Sequence, residues 1–212
     1  MLDLVIVGAG GFARELATML WDVFSPDEYR LKGFLGRASD TAATPTASPL
    51  LADPLDYQPA RNDRLLLAIG AIPARVQLVQ RLTESGGEFV SFVHPRAYIA
   101  PTAEIGTGAV IFPMAMVSNA ARLEPHVHLN YYAGVGHDCH VGEYSLLAPY
   151  ATINGFCHLE PEVYMATHST VVPGRHLGRG SKVSANSAVM RDVPAGSFVF
   201  GVPGRVVPQW QQ

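Results

Sequence analysis

The chain has 212 residues, of which 48% are hydrophobic and two are cysteines, and its formal charge at pH 7 is −3. This length allows one large domain or two small ones, and the slightly acidic balance provides no basic surplus for nucleic acid binding. Two cysteines in a chain of this size indicate a reduced, cytoplasmic setting, and the short apolar start predicts neither membrane insertion nor a secretory leader.

Residues 1–92 predict a small Rossmann-like domain with parallel strands. A buried strand, a glycine turn and a helix are predicted from LDLVIVGAGGFARELATML. Two further strands are predicted at YRLKGFLG and RLLLAIG, followed by a helix at IPARVQLVQRLTESGG and a fourth strand at EFVSFV. The polar segment RASDTAATPTASPLLADP is interpreted as a connection.

The glycine turn indicates a nucleotide site. Gly8, Gly10 and Ala13 fit the pattern G-x-G-x-x-G/A, in which a helix N-terminus can hold a phosphate. An acid that would bind the ribose of NAD is expected at the end of the second strand, where Arg37 stands, and Asp40 follows too late. We therefore favour a different nucleotide ligand over a dinucleotide oxidoreductase. A tight turn without a ligand is the alternative.

Residues 93–212 are expected to form a second domain, in which a six-residue repeat is followed by a C-terminal tail. Aliphatic side chains occupy 17 successive positions at this spacing, from Val93 to Val189. Four residues after each of them comes a second stripe, from Ala97 to Ser187, which is small except at Arg175. This pattern predicts a parallel β-helix of short strands and tight corners, in which three repeats form one coil and residues eighteen apart stack.

Several reactive side chains in the repeat are interpreted as structural. Cys139 and Cys157 both lie in the small stripe one coil apart, which favours inert packing over nucleophilic chemistry. His126 and His128 have the spacing of one strand face, but no carboxylate or thiolate completes a metal site. Solvated or interface histidines are therefore expected, and no metal is expected in the chain.

The order of the two halves resembles that of bacterial hexapeptide-repeat acetyltransferases that modify sugars. These include N-acetyltransferases of nucleotide-linked amino sugars and sialic acid O-acetyltransferase-like proteins. The likeness is carried by VIVGAGGFARE, AIGAIPARV, FVHPRAYIAPTAEIG, GVGHDCHVGEYSLLAPYATING and VFGVPGRVV. It implies a left-handed β-helix, an exception to the usual right-handed crossover, assembled as a homotrimer. It also implies acetyl-CoA as co-substrate between neighbouring prisms, and a nucleotide-linked amino sugar at the N-terminal domain.

The resemblance also assigns the site residues. His137 is the expected general base, and Asp138 is the residue expected to orient it. The expected acetyl-CoA contacts are Gly155, Ala185 and Arg205, with the Arg205 cation near the CoA phosphates. The expected substrate contacts are Gly8, Gly10, Gly11, Phe12, Arg37 and Asn130.

The residue types suit acetyl transfer. Imidazole has an ordinary pKa near neutrality, and a neighbouring carboxylate can fix its tautomer. Adjacent residues on a flat strand point to opposite faces, so contact between His137 and Asp138 requires a corner, which we expect Gly136 to ease. Gly155 stacks beside His137, where it leaves room for a thioester and offers a backbone N–H to an oxyanion. A glycine that serves only the turn is the alternative.

The chain departs from the family pattern at several positions, and those in the first half leave the substrate open. Where some relatives have a second active-site histidine this chain has Leu146, for which His140 or His158 is a candidate replacement. Many relatives have histidine in place of Phe12, and acidic residues in place of Gly36 and Arg37. The nucleotide and the sugar are therefore undetermined.

The sequence favours an acetyl-CoA-dependent N-acetyltransferase acting on the 4-amino group of a nucleotide-linked 4-amino-4,6-dideoxy sugar. An O-acetyltransferase of a sugar hydroxyl is the nearest alternative, because it would use the same base on a less nucleophilic atom. A non-catalytic, sugar-nucleotide-binding trimer is a third possibility.

Overall fold

The fold is described from a computed structural model, for residues 1–37 and 48–208. Asp40, considered above as a ribose-binding acid, lies outside the described residues. The chain divides into two compact units, Met1–Phe92 and Val93–Gln212.

The first unit contains a four-stranded parallel sheet in the order β3-β2-β1-β4. Its elements are β1 (Leu2–Val7), α1 (Gly11–Thr18), α2 (Leu20–Val23), β2 (Tyr29–Leu35), β3 (Leu50–Ala52), β4 (Asp63–Leu67) and α3 (Ile72–Glu84). The apolar run in β1 is fully buried because this strand lies between two neighbours in a parallel sheet. Among the helices of the described ranges, none has the length and apolar character needed to cross a lipid bilayer.

Two predictions for this unit are wrong in detail. β3 lies inside the segment interpreted as a connection, and it pairs with β2 through Phe34 and Leu50. The polar residues around its three-residue run concealed it, and an edge strand can be this short. The predicted fourth strand is divided: Phe89 makes a single parallel bridge with Leu65, and Phe92–Val93 forms a separate two-residue strand. Phe89 and Phe92 are both buried, so the apolar pattern that suggested one strand reflects the burial of two separate short segments.

The second unit is a three-sided parallel β-helix, as predicted. Its sheets have the strand orders β19-β16-β13-β10-β7, β21-β18-β15-β12-β9-β6 and β23-β22-β20-β17-β14-β11-β8-β5. The strands are β5 (Phe92–Val93), β6 (Tyr98–Ile99), β7 (Glu104–Ile105), β8 (Val110–Ile111), β9 (Met116–Val117), β10 (Arg122–Leu123), β11 (His128–Leu129), β12 (Gly134–Val135), β13 (His140–Val141), β14 (Leu146–Leu147), β15 (Thr152–Ile153), β16 (His158–Leu159), β17 (Tyr164–Met165), β18 (Thr170–Val171), β19 (His176–Leu177), β20 (Lys182–Val183), β21 (Ala188–Val189), β22 (Ser197–Phe200) and β23 (Arg205–Pro208).

Strand pairing confirms the predicted stacking of residues eighteen apart. Leu129 pairs with Leu147, and Leu147 pairs with Met165. The aliphatic residues of the repeat form one continuous buried cluster from Ile111 to Val189. Apolar side chains of successive coils therefore pack on one another along the interior.

The corners between strands have a recurring backbone conformation that the periodicity did not reveal. Every sixth residue over most of the β-helix has a positive φ, and none of the non-glycine residues among them is β-branched, in keeping with the steric cost of that conformation. The non-glycine members are Met114, Ala120, His126, Tyr132, Asp138, Tyr144, Tyr150, Phe156, Glu162, His168 and Asn186.

The four side chains interpreted as structural are all buried, which agrees with the expectation for the two cysteines but not for the two histidines. Cys139 and Cys157 are buried free thiols inside the β-helix, as expected for residues of the small stripe. His126 and His128 are buried within the chain, so the expectation of solvated rings is wrong. The His126 ring, at a corner, stacks on Tyr144 with centroids 5.3 Å apart, which shields it from water.

We expect Leu147→Ala to lower the free energy of unfolding by about 2–5 kcal/mol, because the fully buried side chain lies between two coils and its loss leaves a cavity. Chemical denaturation followed by circular dichroism measures this change. Lys182→Ala, at an exposed position of the same sheet, is the control and should change stability by no more than about 0.5 kcal/mol. Equal effects of the two substitutions would contradict the stacked core.

Candidate active site

A cavity of about 570 Å³ lies in the first unit, at the carboxyl ends of β1 and β4. The strand order reverses between these two strands, which is where open α/β sheets bind ligands. Five of the six predicted substrate contacts line the cavity, namely Gly8, Gly10, Gly11, Phe12 and Arg37.

Two helix N-termini open into this cavity without side-chain caps. Gly10 precedes α1 and Ala71 precedes α3, and neither provides a side-chain hydrogen bond to its helix. The first turns of both helices also lack acidic residues. Because the first N–H groups of a helix have no partner within it, the two termini form a favourable environment for an anion.

The glycine turn is required by a close approach of the backbone. Gly8 has φ of 127°, and a Cβ atom there would lie 2.6 Å from the carbonyl oxygen of Ala68. The turn after β1 therefore packs directly against the turn after β4. The sequence pattern predicted this glycine, but the packing against the second turn is visible only in the structure.

Asp53 is a cavity residue that the sequence did not reveal. Its carboxylate accepts hydrogen bonds from the backbone N–H of Leu55 at 3.0 Å and from Nε of Arg37 at 3.2 Å. These two groups hold the pKa of Asp53 below its ordinary value. The cavity thus carries an acid after β3 rather than at the end of β2. The sequence signal that could have indicated this acid is the Asp-Pro pair that follows the short strand.

His137 and Asp138 form a hydrogen-bonded pair at an exposed corner of the second unit. Nδ1 of His137 lies 2.8 Å from Oδ2 of Asp138. Asp138 itself has φ of 56°, and its N–H donates to the carbonyl of Asn119 in the preceding coil. Donation of the Nδ1 hydrogen to the carboxylate leaves the lone pair on Nε2, which is the arrangement that a general base requires.

The role predicted for Gly136 is wrong. Gly136 does not have a positive φ; the corner is made by Asp138. A Cβ atom at Gly136 would lie 2.7 Å from the backbone nitrogen of Gly155. Its small size therefore allows two coils to approach each other, and it does not form the turn.

The His137 ring lies directly against Gly155, as the stacking predicted. A Cβ atom at Gly155 would be 2.5 Å from both Cε1 and Nε2 of the ring. The Phe156 ring contacts the imidazole edge-on, with centroids 5.0 Å apart and planes at 88°. The imidazole is thus held by Asp138 at one edge and by an aromatic ring at the corner of the next coil. The sequence did not indicate the contact with Phe156.

The proposed replacements for the missing second histidine have other partners. Leu146 is buried on β14, in a different sheet from His140 and His158. Nε2 of His140 lies 3.0 Å from a Glu124 carboxylate oxygen, and its Nδ1 lies 3.2 Å from Nδ1 of His158. The two rings are therefore bound to each other and to an acid on the outer face of one sheet.

The remaining predicted contacts lie elsewhere in the second unit. Ala185 is exposed at a corner, and Arg205 is exposed at the start of β23, opposite Phe200. Asn130 is half-buried, and its side-chain oxygen accepts a hydrogen bond from the N–H of Tyr131 at 2.7 Å. Asn130 is not among the residues that line the described cavity of the first unit.

Comparison with known proteins gives a consistent picture. No family model matches the chain. The GDP-perosamine N-acetyltransferase of Escherichia coli O157:H7 is 33% identical over 75 residues, which cover 34% of this chain and 34% of that protein. The match thus spans about a third of the length of this curated relative.

Several solved structures match almost the whole chain. PerB from Caulobacter crescentus, in complex with CoA and GDP-perosamine, is 24% identical with a TM-score of 0.86, and 97% of each chain is covered. This likeness establishes the fold. The acetyltransferase domain of PglB from Neisseria gonorrhoeae FA1090, in complex with acetyl coenzyme A, is 25% identical with a TM-score of 0.85, covering 97% of this chain and 98% of that one. The predicted fold class and the resemblance to sugar acetyltransferases are thereby confirmed.

We expect Gly155→Ala to displace the His137 ring without unfolding the protein, because the new methyl group would overlap an exposed, rotatable side chain rather than backbone. A crystal structure of the variant, or the NMR signals of the His137 ring, would detect the movement. Gly134→Ala is the control, since its nearest contact is Thr152 Cγ2 at 3.3 Å. An unmoved His137 ring in Gly155→Ala would contradict the contact.

Proposed function

We propose that this protein is an acetyl-CoA-dependent N-acetyltransferase acting on the 4-amino group of a nucleotide-linked 4-amino-4,6-dideoxy sugar. The observation that carries the proposal is the His137–Asp138 pair, with 2.8 Å between Nδ1 and Oδ2 and the ring lying against Gly155. The acetyltransferases among the similar proteins support the reaction class. The complex of PerB with GDP-perosamine supports a nucleotide-linked amino sugar as the substrate class.

In the proposed reaction His137 acts as the general base. Nε2 accepts a proton as the neutral sugar amine attacks the thioester carbonyl, and Asp138 stabilises the imidazolium through Nδ1. The backbone N–H of Gly155 is the proposed donor to the developing oxyanion. Collapse of the tetrahedral intermediate forms the amide, and the proton passes from His137 to the CoA sulfur that leaves.

The cavity of the first unit is the proposed site of the nucleotide. The uncapped N-termini of α1 and α3 are suited to the two phosphates, and the glycines of the first turn let them approach the backbone. Phe12, Arg37 and Asp53 provide an aromatic face, a cation and a carboxylate for the rest of the nucleotide. Asn130 remains a proposed contact of the sugar.

A homotrimer is the proposed assembly, with acetyl-CoA between adjacent copies and Ala185 and Arg205 among its contacts. Large exposed apolar side chains in the second unit support burial against another copy, because such patches mark interaction surfaces. Those on the six-stranded sheet and its adjoining corners are Tyr98, Met114, Met116, Tyr132, Tyr150 and Phe156.

The proposal is tested by mixing the purified protein and acetyl-CoA with a panel of GDP-, UDP- and dTDP-linked amino sugars. Release of free thiol with one of them is expected, and the acetylated product should survive mild alkali because amides do and esters do not. An alkali-labile product would identify O-acetylation. Binding of a sugar nucleotide without thiol release across the panel would favour a non-catalytic role.

We expect His137→Ala to lower turnover by roughly 10²- to 10⁴-fold, because the amine loses its base. Asp138→Asn should also lower turnover, since the amide cannot stabilise the imidazolium. The rate of thiol release at saturating substrates measures both effects. His176→Ala is the control, because it removes an exposed histidine on β19 of the same unit. Turnover near that of the unmodified protein in His137→Ala would remove this residue from the role.

Introducing a negative charge tests the proposed phosphate site separately. Gly10→Asp should weaken binding of the sugar nucleotide at least tenfold, because a carboxylate at the start of α1 caps the helix and repels phosphate. A Cβ atom added at this glycine would meet no atom within 4 Å beyond the adjoining residues, so the fold should tolerate the change. Gly10→Ser adds a cap without charge and is the matched control. Calorimetric affinities that are equal for the two variants would contradict an anion at this terminus.

A further inference from the structure

Two imidazole rings face each other on the outer surface of the five-stranded sheet. His140 on β13 and His158 on β16 occupy paired positions in the parallel ladder. Their Nδ1 atoms are 3.2 Å apart, their ring centroids are 4.6 Å apart, and their planes are inclined at 68°. Both side chains are partly exposed.

The orientation of His140 is fixed by an acid. Oε1 of Glu124 lies 3.0 Å from Nε2 of His140 and accepts its hydrogen. The same carboxylate oxygen is 3.1 Å from Nε of Arg122, which holds it in place. A neutral His140 with its hydrogen on Nε2 has its lone pair on Nδ1, the atom that faces His158. A histidine whose other nitrogen donates to a carboxylate is the arrangement found around metal-bound imidazoles.

The orientation of His158 is fixed by stacking. Its ring lies on His176 with centroids 5.2 Å apart and planes at 12°. Nε2 of His176 is 3.1 Å from Oε1 of Glu160, so a second carboxylate holds the ring on which His158 stacks. A neutral His158 ring offers one nitrogen lone pair, and the tautomer with its hydrogen on Nε2 places that pair on Nδ1.

The distance between the two nitrogens suits a shared metal ion. Two imidazole nitrogens that bind one tetrahedral ion, each at about 2.0–2.1 Å, are about 3.3 Å apart. We infer that His140 and His158 form a two-histidine site for a borderline divalent transition metal, with Zn²⁺ or Cu²⁺ taking the position between the facing Nδ1 atoms. Glu124 and Glu160 add negative charge beside it.

The number of ligands limits how strongly the site binds. Across the described ranges, no group of three or more His, Cys, Asp and Glu side chains is arranged to hold a metal. Water would complete the coordination, so the ion should exchange readily, unlike a structural zinc with four protein ligands. A bound ion would link β13 to β16 and thus join two successive coils. It should therefore stabilise the folded protein increasingly as its concentration rises.

The test uses the full chain without an affinity tag, freed of metal and titrated calorimetrically with Zn²⁺ or Cu²⁺. We expect one ion per chain, with tighter binding of Cu²⁺, following the usual order of affinity for nitrogen ligands. His140→Ala and His158→Ala should each weaken binding at least tenfold. Glu124→Gln should weaken it about 10- to 100-fold by loosening the orientation of His140. His168→Ala removes an exposed corner histidine that stacks on Tyr150 and contacts neither proposed ligand, and is the control.

A second readout distinguishes this site from binding elsewhere. The electron paramagnetic resonance spectrum of the Cu²⁺ form should show two imidazole nitrogens, and one should be lost in His158→Ala. Melting temperatures without metal establish that each variant is folded. An absence of binding, or equal binding by the unmodified protein and both alanine variants, would mean that the two rings share only an N–H···N hydrogen bond. None of these measurements depends on acetyl transfer.

Discussion

The second unit depends on the packing of each interior aliphatic side chain on the one eighteen residues later. Leu129, Leu147 and Met165 illustrate the contact, which repeats along the buried cluster. A strand of two residues has no stability alone, so each coil forms only because the next one covers it. The register is consequently fixed: a shift by one residue would place polar strand residues in the interior.

This constraint also determines where chemistry can occur. The interior is filled, so functional side chains must lie at corners or on outward strand positions. A corner with a left-handed residue lets two consecutive side chains meet, which a flat strand does not allow. His137 and Asp138 use such a corner, and the next coil contributes a glycine because the imidazole occupies the space of a side chain.

Outward strand positions obey the same rule, because residues eighteen apart stand beside each other on neighbouring strands. His140, His158 and His176 follow one another on neighbouring strands of one sheet because the repeat places them there. Two of these rings contact carboxylates that directly follow a neighbouring strand: Glu124 contacts His140, and Glu160 contacts His176. The first unit uses a different device. There the two turns at the reversal of strand order pack against each other, and both helix N-termini open into the cavity.

The sequence by itself determined the β-helix, its coil length and the adjacency of His137 and Gly155, because a strict repeat converts sequence separation directly into stacking. It also determined the glycine turn of the first unit, since Gly8 meets a backbone oxygen that no side chain could approach. Only the tertiary structure decided which residue forms the corner, Asp138 rather than Gly136, because both glycine and aspartate adopt positive φ. It also decided that β3 exists and that Asp53 lines the cavity. The repeat predicts which face a side chain occupies but not its rotamer. The sequence therefore could not predict that Nδ1 of His140 faces Nδ1 of His158.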